Sequence, residues 1–190
     1  MRERLLILLV SFLLSACLGC GSGHAGRASF VGQVHGQTFS PADAVSYTPA
    51  EGGAVAVVYV GSTGGLCDDF AHQRTRSSAF SLSIELVDWD LAAHTASAPS
   101  APGDYAVIFP PPNVPREAGV FFHQTDATCG FTENSETGVA GTVSLTAVRD
   151  GALTGTYDIT FHSGDRVTGS FDAAACPQIG SWPAEALSCL

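Results

Sequence analysis

The chain contains no lysine. Its eight basic residues are all arginine, and they stand against 18 acidic ones for a formal charge of −10. A surface so poor in cations cannot neutralise nucleic-acid phosphates, and anionic lipid headgroups do not attract it. Charge of either sign is sparse, at 14% of the 190 residues, whereas 45% are hydrophobic. That balance excludes a disordered chain, and the absence of sustained heptads or a Gly-X-Y repeat excludes a coiled coil or a collagen. No apolar run approaches the roughly 20 residues that a transmembrane helix needs. Also missing are a Gly-x-Ser-x-Gly elbow, a phosphate-binding loop and a His-Glu-x-x-His helix, so the common hydrolase, nucleotide and zinc-protease signatures are absent. We expect a non-enzymatic protein with no cofactor and no catalytic residues.

What is present begins with an address. Arg2 and Arg4 precede an apolar run from Leu5 to Leu14. Its length suits a signal-peptide core rather than a membrane span. The run closes on Leu14-Ser15-Ala16-Cys17, which resembles the bacterial lipobox. The resemblance implies diacylglyceryl transfer to the Cys17 thiol, cleavage just before Cys17 and acylation of the new amino group. Several acyl chains suffice for stable anchoring, at about 0.8 kcal/mol per buried CH₂. Leu18 rather than Asp follows Cys17, and by resemblance to enterobacterial sorting this implies an outer-membrane destination, facing the periplasm or the cell exterior. Removal of residues 1–16 takes away Arg2, Arg4 and Glu3, leaving six Arg against 17 acidic residues, a formal charge of −11.

The expected organisation is a signal peptide over 1–16, a lipidated Cys17 with a Gly/Ser-rich tether over 17–28, and a single β domain over 29–190. Such a tether has a root-mean-square reach of about 18 Å, enough to lift a domain off the headgroups. From Phe30 onward the hydrophobic period is mostly two. Phe80, Leu82, Ile84 and Leu86 alternate with Ser81, Ser83 and Glu85, which predicts a strand with one buried face. Ala54–Val60 is apolar on both faces and reads as a central strand, and Tyr105–Phe109 and Val120–His123 are further short runs. In the last third, Val143, Leu145 and Ala147, then Leu153, Tyr157, Ile159 and Phe161, then Val167 and Phe171 alternate with Ser, Thr and Asp. Asp150-Gly151 and Ser163-Gly164-Asp165 supply the turns, so a three-stranded antiparallel meander is expected. Phe30–Val34 and Gln37–Ser40 suggest an opening hairpin. Cys67–Arg74 suggests a short helix and Pro41–Ala44 a single helical turn. The run Pro110–Pro115 must lie in a loop or at an edge. The fold class is mainly β: an antiparallel sandwich or partly closed barrel of about eight to ten short strands.

The stretch from Gly141 to Cys176, together with Gly32-Gln33-Val34-His35-Gly36-Gln37-Thr38-Phe39, resembles a recurrent pattern in uncharacterised all-β lipoproteins of GC-rich Gram-negative bacteria. That resemblance carries no activity and transfers no site residues.

Five cysteines lie beyond Cys17, and an oxidising envelope compartment favours disulfides among them. Cys67, Cys129, Cys176 and Cys189 are the candidates, with Cys67–Cys129 and Cys176–Cys189 the expected pairing and Cys20 left over in the tether. Candidate chemistry is thin. Asp68, Asp69 and His72 would share a face of a short helix and are weak candidates for a divalent metal. His123 and Asp126 near Cys129 suggest a thiol nucleophile that a disulfide would abolish. Asp150-Gly151 and Ser163-Gly164-Asp165 offer oxygen ligands for calcium, though acidic turns are usually only turns. Trp89, Tyr105, Phe109, Phe121 and Phe122 would line a ligand cavity if a barrel were hollow. The leading expectation is an envelope-associated structural or interaction module, membrane-attached through Cys17, with an unidentified protein partner. The alternative is a barrel that holds a small apolar ligand, and a hydrolase-type enzyme ranks third.

Overall fold

The computed structural model describes residues 25–49, 53–109, 114–181 and 188–190. Its strands are β1 (Arg27–Gly32), β2 (Asp43–Tyr47), β3 (Ala56–Gly61), β4 (Arg74–Thr75), β5 (Phe80–Asp90), β6 (Thr95–Ser97), β7 (Gly103–Val107), β8 (Arg116–Gln124), β9 (Glu136–Arg149), β10 (Ala152–Phe161), β11 (Arg166–Ala175) and β12 (Ser188–Cys189). One α-helix, α1 (Leu66–Ala71), and one 3₁₀ turn (Pro177–Ser181) complete the described elements.

Eight strands close into a barrel in the order β2, β3, β5, β8, β7, β9, β10, β11. Closure comes from a short parallel contact in which Ala174 and Ala175 of β11 face Val45 and Ser46 of β2. The barrel is mixed rather than antiparallel throughout, because β7 also runs parallel to β8. At one end β7 is wedged between β8 and β9; at the other, β8 and β9 pair directly through Phe121–Thr137 and Phe122–Glu136. Mainly β architecture is therefore correct, and barrel rather than sandwich is the form.

The C-terminal meander forms as its alternation predicts, with β9, β10 and β11 in antiparallel register. One detail differs. Leu145 faces Gly155 and Ala147 faces Thr154, so the register shifts by one residue between them. A bulge flips the faces of the bulged strand. Val148, not Ala147, therefore packs against the core.

The opening segment departs further. Val34 and Gln37 exchange two backbone hydrogen bonds around His35-Gly36. Gln37–Ser40 does not become a strand, and β1 instead pairs along its length with β11. This strand begins at Arg27, two residues inside the stretch read as tether. Pro41–Ala44 is not a helical turn either; Asp43 and Ala44 open β2. Pro110–Asn113 lie outside the described residues.

The barrel interior is filled by its own side chains, as eight strands allow. Tyr105, Phe122, Phe161 and Phe171 are each at most 2% exposed, together with Leu82, Ile84, Leu86, Leu153 and Ile159. Phe30 and Phe39 pack in a tilted pair at 4.5 Å between ring centroids and both lie about 6.2 Å from Phe122, which seals the interior beside β1. Gly169 shows how tight the wall is. The Tyr157 hydroxyl passes over it and donates to the Ser29 carbonyl at 2.7 Å, bolting β10 to β1 across β11. A Cβ on Gly169 would sit 2.1 Å from that carbonyl oxygen.

Candidate functional site

Outside β2 and β3 lies a second, smaller layer made of α1, the 3₁₀ turn and the β4–β12 pair. Val45, Phe70, Cys176 and Ile179 form its apolar centre, with Tyr47, Val57, Tyr59 and Leu66 packed around it. Helix α1 starts at Gly65, a left-handed residue that offers no capping side chain. The cap comes from elsewhere in the chain. Asp43, 4% exposed, accepts from the Gly65 and Leu66 amides through Oδ2 at 3.0 Å and from Gly26 and Ala44 through Oδ1. One carboxylate thus fixes the entry to β1, the start of β2 and the N-terminus of α1. It satisfies helix-end donors that would otherwise be orphaned.

Two disulfides staple this layer. They are Cys67–Cys176, with Cα atoms 5.6 Å apart, and Cys129–Cys189, at 5.7 Å. All four predicted cysteines are bridged, but the pairing is exchanged relative to expectation. The cause is where the two tail cysteines lie. Cys176 leaves β11 directly beneath α1, because the 3₁₀ turn packs on that helix. The chain then returns as β12 alongside β4, where Ser188 faces Arg74 and Cys189 faces Thr75. Cys129 sits beside Thr75, its Sγ 3.4 Å from the Thr75 carbonyl. Proximity in sequence favoured Cys176–Cys189, but Cys176 lies against α1 and Cys189 against β4, each beside a different cysteine.

The Asp68, Asp69 and His72 constellation is a salt-bridge network. Asp69 is buried and receives Arg76 in a two-pronged contact at 2.6 and 2.9 Å, and Arg74 also reaches it at 3.0 Å. Asp68 pairs with Arg74 and with His72, the latter at 3.2 Å. The expected helical face brings His72 to Asp68, but arginines occupy the carboxylates that a metal would need. Among the described residues, no three His, Cys, Asp or Glu side chains converge to hold a metal ion.

The thiol reading of Cys129 fails because its sulfur is bridged to Cys189. Asp126 serves its own loop: Oδ1 accepts from the Thr128 hydroxyl, the Thr128 amide and the Gly130 amide, which hold its carboxyl below the usual range. Asp165 accepts from Ser163 Oγ and from the His35 amide, and Asp150-Gly151 forms the tip of the β9–β10 hairpin with φ of +47° and +83°. These acidic turns are therefore occupied as turns.

The five aromatics proposed as a cavity lining divide. Tyr105 and Phe122 point inward and belong to the core. Phe109 is 54% exposed, Trp89 donates to Glu117 Oε2 at 3.0 Å, and Phe121 lies on the outer wall. At the barrel mouth, Arg116 lies over the Tyr105 ring at 5.6 Å and pairs with Asp88 at 3.6 Å. Burial, and then the Asp88 carboxylate, push the Tyr105 phenol well above its ordinary range.

Sequence reasoning missed the outer wall of β3, β5 and β8. In register, Tyr59, Ser83 and Phe121 share one row, and Val57, Glu85 and Gly119 share the next. Tyr59 packs on Phe70 at 4.9 Å; beyond Phe121 come His123 at 6.2 Å and Phe131 at 4.8 Å from His123. Phe131 is 71% exposed. Burial lowers the His123 pKa, and its Nδ1 has no hydrogen-bond partner among the described residues. The result is two aromatic patches on either side of Ser83, with Glu85 in the next row. Phe121 and Phe122 are adjacent in a strand and must face opposite sides, so one of them had to lie outside the core. That was the available signal.

The class defined here is a closed, mixed eight-stranded barrel with a disulfide-stapled outer layer. No family model, curated protein or solved structure matches the chain. Among the described residues, no helix is long and apolar enough to cross a membrane.

Proposed function

We propose that the protein is a lipid-anchored module of the bacterial cell envelope. It is acylated at Cys17, attached to the outer membrane, and acts by presenting its barrel surface to a partner rather than by catalysis. The observation that carries this reading is the sequence Leu14-Ser15-Ala16-Cys17 after a basic start and a ten-residue apolar run. Cys17 itself lies outside the described residues. Two disulfides in the folded part support an oxidising compartment, since such bonds persist on the extracytoplasmic side. The aromatic filling of the interior favours a surface role over an apolar ligand held inside. The absence of a free thiol at Cys129 and the arginine-occupied carboxylates of α1 support a non-enzymatic role.

The test is intact-mass and peptide mass spectrometry of the protein extracted from membranes with detergent, without reduction. An N-terminus at Cys17 carrying acyl chains is the expected result, and Cys17→Ala should leave an uncleaved or unanchored chain. An unmodified N-terminus elsewhere, on a protein recovered in the soluble fraction, would overturn the reading.

A further inference from the structure

We propose that Cys129–Cys189 is an exchangeable disulfide. An external small-molecule thiol opens it, frees Ser188–Leu190 and bares the edge of β4, while Cys67–Cys176 stays closed. The inference goes beyond the interaction role proposed above and does not depend on acylation at Cys17.

The two bridges sit in different surroundings. Cys176 is fully buried, and Cys67 is half-buried against the same small apolar centre. Cys189 is exposed, and Cys129 lies in a loop whose neighbours Asp126, Ala127, Thr128, Gly130 and Phe131 are all exposed. Thiol–disulfide exchange requires a thiolate to reach a sulfur, so access ranks the two bonds. Cys129 also holds a left-handed backbone, with φ of +64°, which residues with a side chain seldom adopt. Such a conformation persists only where its surroundings enforce it.

The two ends of the exposed bridge are held unequally. On the Cys129 side the loop is tied without the sulfur. Asp126 Oδ1 accepts from Thr128 and Gly130, the Asp126 amide donates to the Gly130 carbonyl, and the Cys129 and Ser78 amides donate to the Asp126 carbonyl. On the Cys189 side, Ser188, Cys189 and Leu190 are all exposed. Among the described residues, the amides of Ser188 and Leu190 bond the Gln73 and Thr75 carbonyls, and the Ser77 amide bonds the Leu190 carbonyl, at 2.9–3.0 Å; the Ser188 hydroxyl adds a 3.4 Å contact to Gln73. Exposed backbone bonds at a chain end open locally at little cost. Once the bridge opens, Cys129 stays and the tail leaves.

The incoming thiolate attacks Cys189 Sγ, forms a mixed disulfide there and expels Cys129 as a thiolate, which takes a proton from water. A second thiol cleaves the mixed disulfide, leaving Cys189 as a thiol and the two reductant molecules joined as a disulfide. The Cys129 sulfur is 3.4 Å from the Thr75 carbonyl, so the new thiol has an acceptor in place as the Leu190 amide withdraws from it. The Gln73 carbonyl and the Ser77 amide are left open, as on any unpaired strand edge.

The test uses the full chain in neutral detergent, without denaturant, and glutathione as the thiol. Samples are quenched with acid at intervals, alkylated and read by peptide mass spectrometry. Cys129 and Cys189 are expected to open at least tenfold faster than Cys67 and Cys176, with glutathione recovered on Cys189. Hydrogen exchange on the product should show lost protection at Ser77, Ser188 and Leu190 and retained protection in α1 and β9–β11. Cys129→Ser/Cys189→Ser should give that exchange pattern with no reductant. Opening of Cys67–Cys176 first, opening of both bridges together, or resistance of both until the protein is denatured would each overturn the proposal. So would full protection of Ser77 and Leu190 after Cys129–Cys189 has opened.

Discussion

The barrel and the layer outside β2 and β3 are held together by different physics. Inside the barrel, two dozen buried hydrophobic residues form one continuous cluster. At about 1.5–3 kcal/mol for each large side chain removed from water, that cluster needs no further fastening. The outer layer buries four hydrophobic residues, one of them a cysteine. A core that small cannot repay the entropy of ordering a six-residue helix, a 3₁₀ turn and a two-residue strand pair. Both disulfides, the Asp69 ion pairs and the reach of Asp43 are concentrated there. Cross-links appear in this molecule where apolar burial runs out, which is the rule that governs small secreted domains.

Breaking Cys67–Cys176 is the strongest challenge to that contrast. The bond closes a loop with a sequence separation of 109 residues, and Cys129–Cys189 one of 60. The chain-entropy model assigns each about 4–5 kcal/mol, most of it through the unfolded state. The double variant Cys67→Ser/Cys176→Ser should lose stability on that scale in denaturant unfolding. Hydrogen exchange then separates the two regions. Amides of α1 should lose protection first, while those of β9, β10 and β11 remain protected until global unfolding. Simultaneous loss in both regions would show that the barrel depends on the layer it supports.

Asp43 offers a smaller and more local break. Its carboxylate accepts from four backbone amides, two of them at the N-terminus of α1. In Asp43→Ala these buried donors lose their partner at about 1–3 kcal/mol for each one that water cannot reach. A loss of about 2–4 kcal/mol is expected, with α1 protection again falling before that of the barrel. Asp43→Asn keeps one acceptor oxygen and should recover part of the loss. If Asp43→Ala costs less than about 1 kcal/mol, the helix is capped by other means.

How much of this was legible in the sequence follows the same division. The meander could be read because each strand alternates over six or more residues between turns with glycine at the tip, and local pattern alone specifies such pairing. Leu82, Ile84, Tyr157, Ile159 and Phe171 were placed correctly for that reason. Long-range geometry was not legible. The parallel β11–β2 closure involves two residues on each strand, too few to leave a periodic trace. The disulfide pairing depends on which element each tail cysteine packs against, and four cysteines are compatible with three connectivities. Asp43 was not singled out within the helical turn expected over Pro41–Ala44, because its partners Gly65 and Leu66 are distant in sequence. On the outer wall, alternation did place Glu85 on the face opposite Leu82, Ile84 and Leu86. That Gly119 lies beside it follows only from the β5–β8 register.

The smallest expected effect concerns Glu85 itself, and it contrasts an unpaired carboxylate with the paired Asp69 of the outer layer. Burial raises the folded-state pKa of Glu85 above its unfolded value, so the native state holds the proton more tightly than the unfolded chain does. The associated stability is fully present below the ordinary glutamate pKa and is lost as pH rises through the raised folded value. Replacing Glu85 with Gln removes that loss. The variant should melt at the same temperature as the wild type in acid, below the unfolded pKa. It should melt progressively higher as pH rises, and the gain should level off once Glu85 is ionised in both states. Because the carboxyl remains partly in water, solvent screening limits the gain to under about 1 kcal/mol. The Tyr59 phenol should titrate closer to its ordinary value in the variant, which reports the contact independently of stability. A melting difference that is flat with pH, or that falls as pH rises, would mean that Glu85 already has a compensating partner and that the outer wall is electrostatically complete.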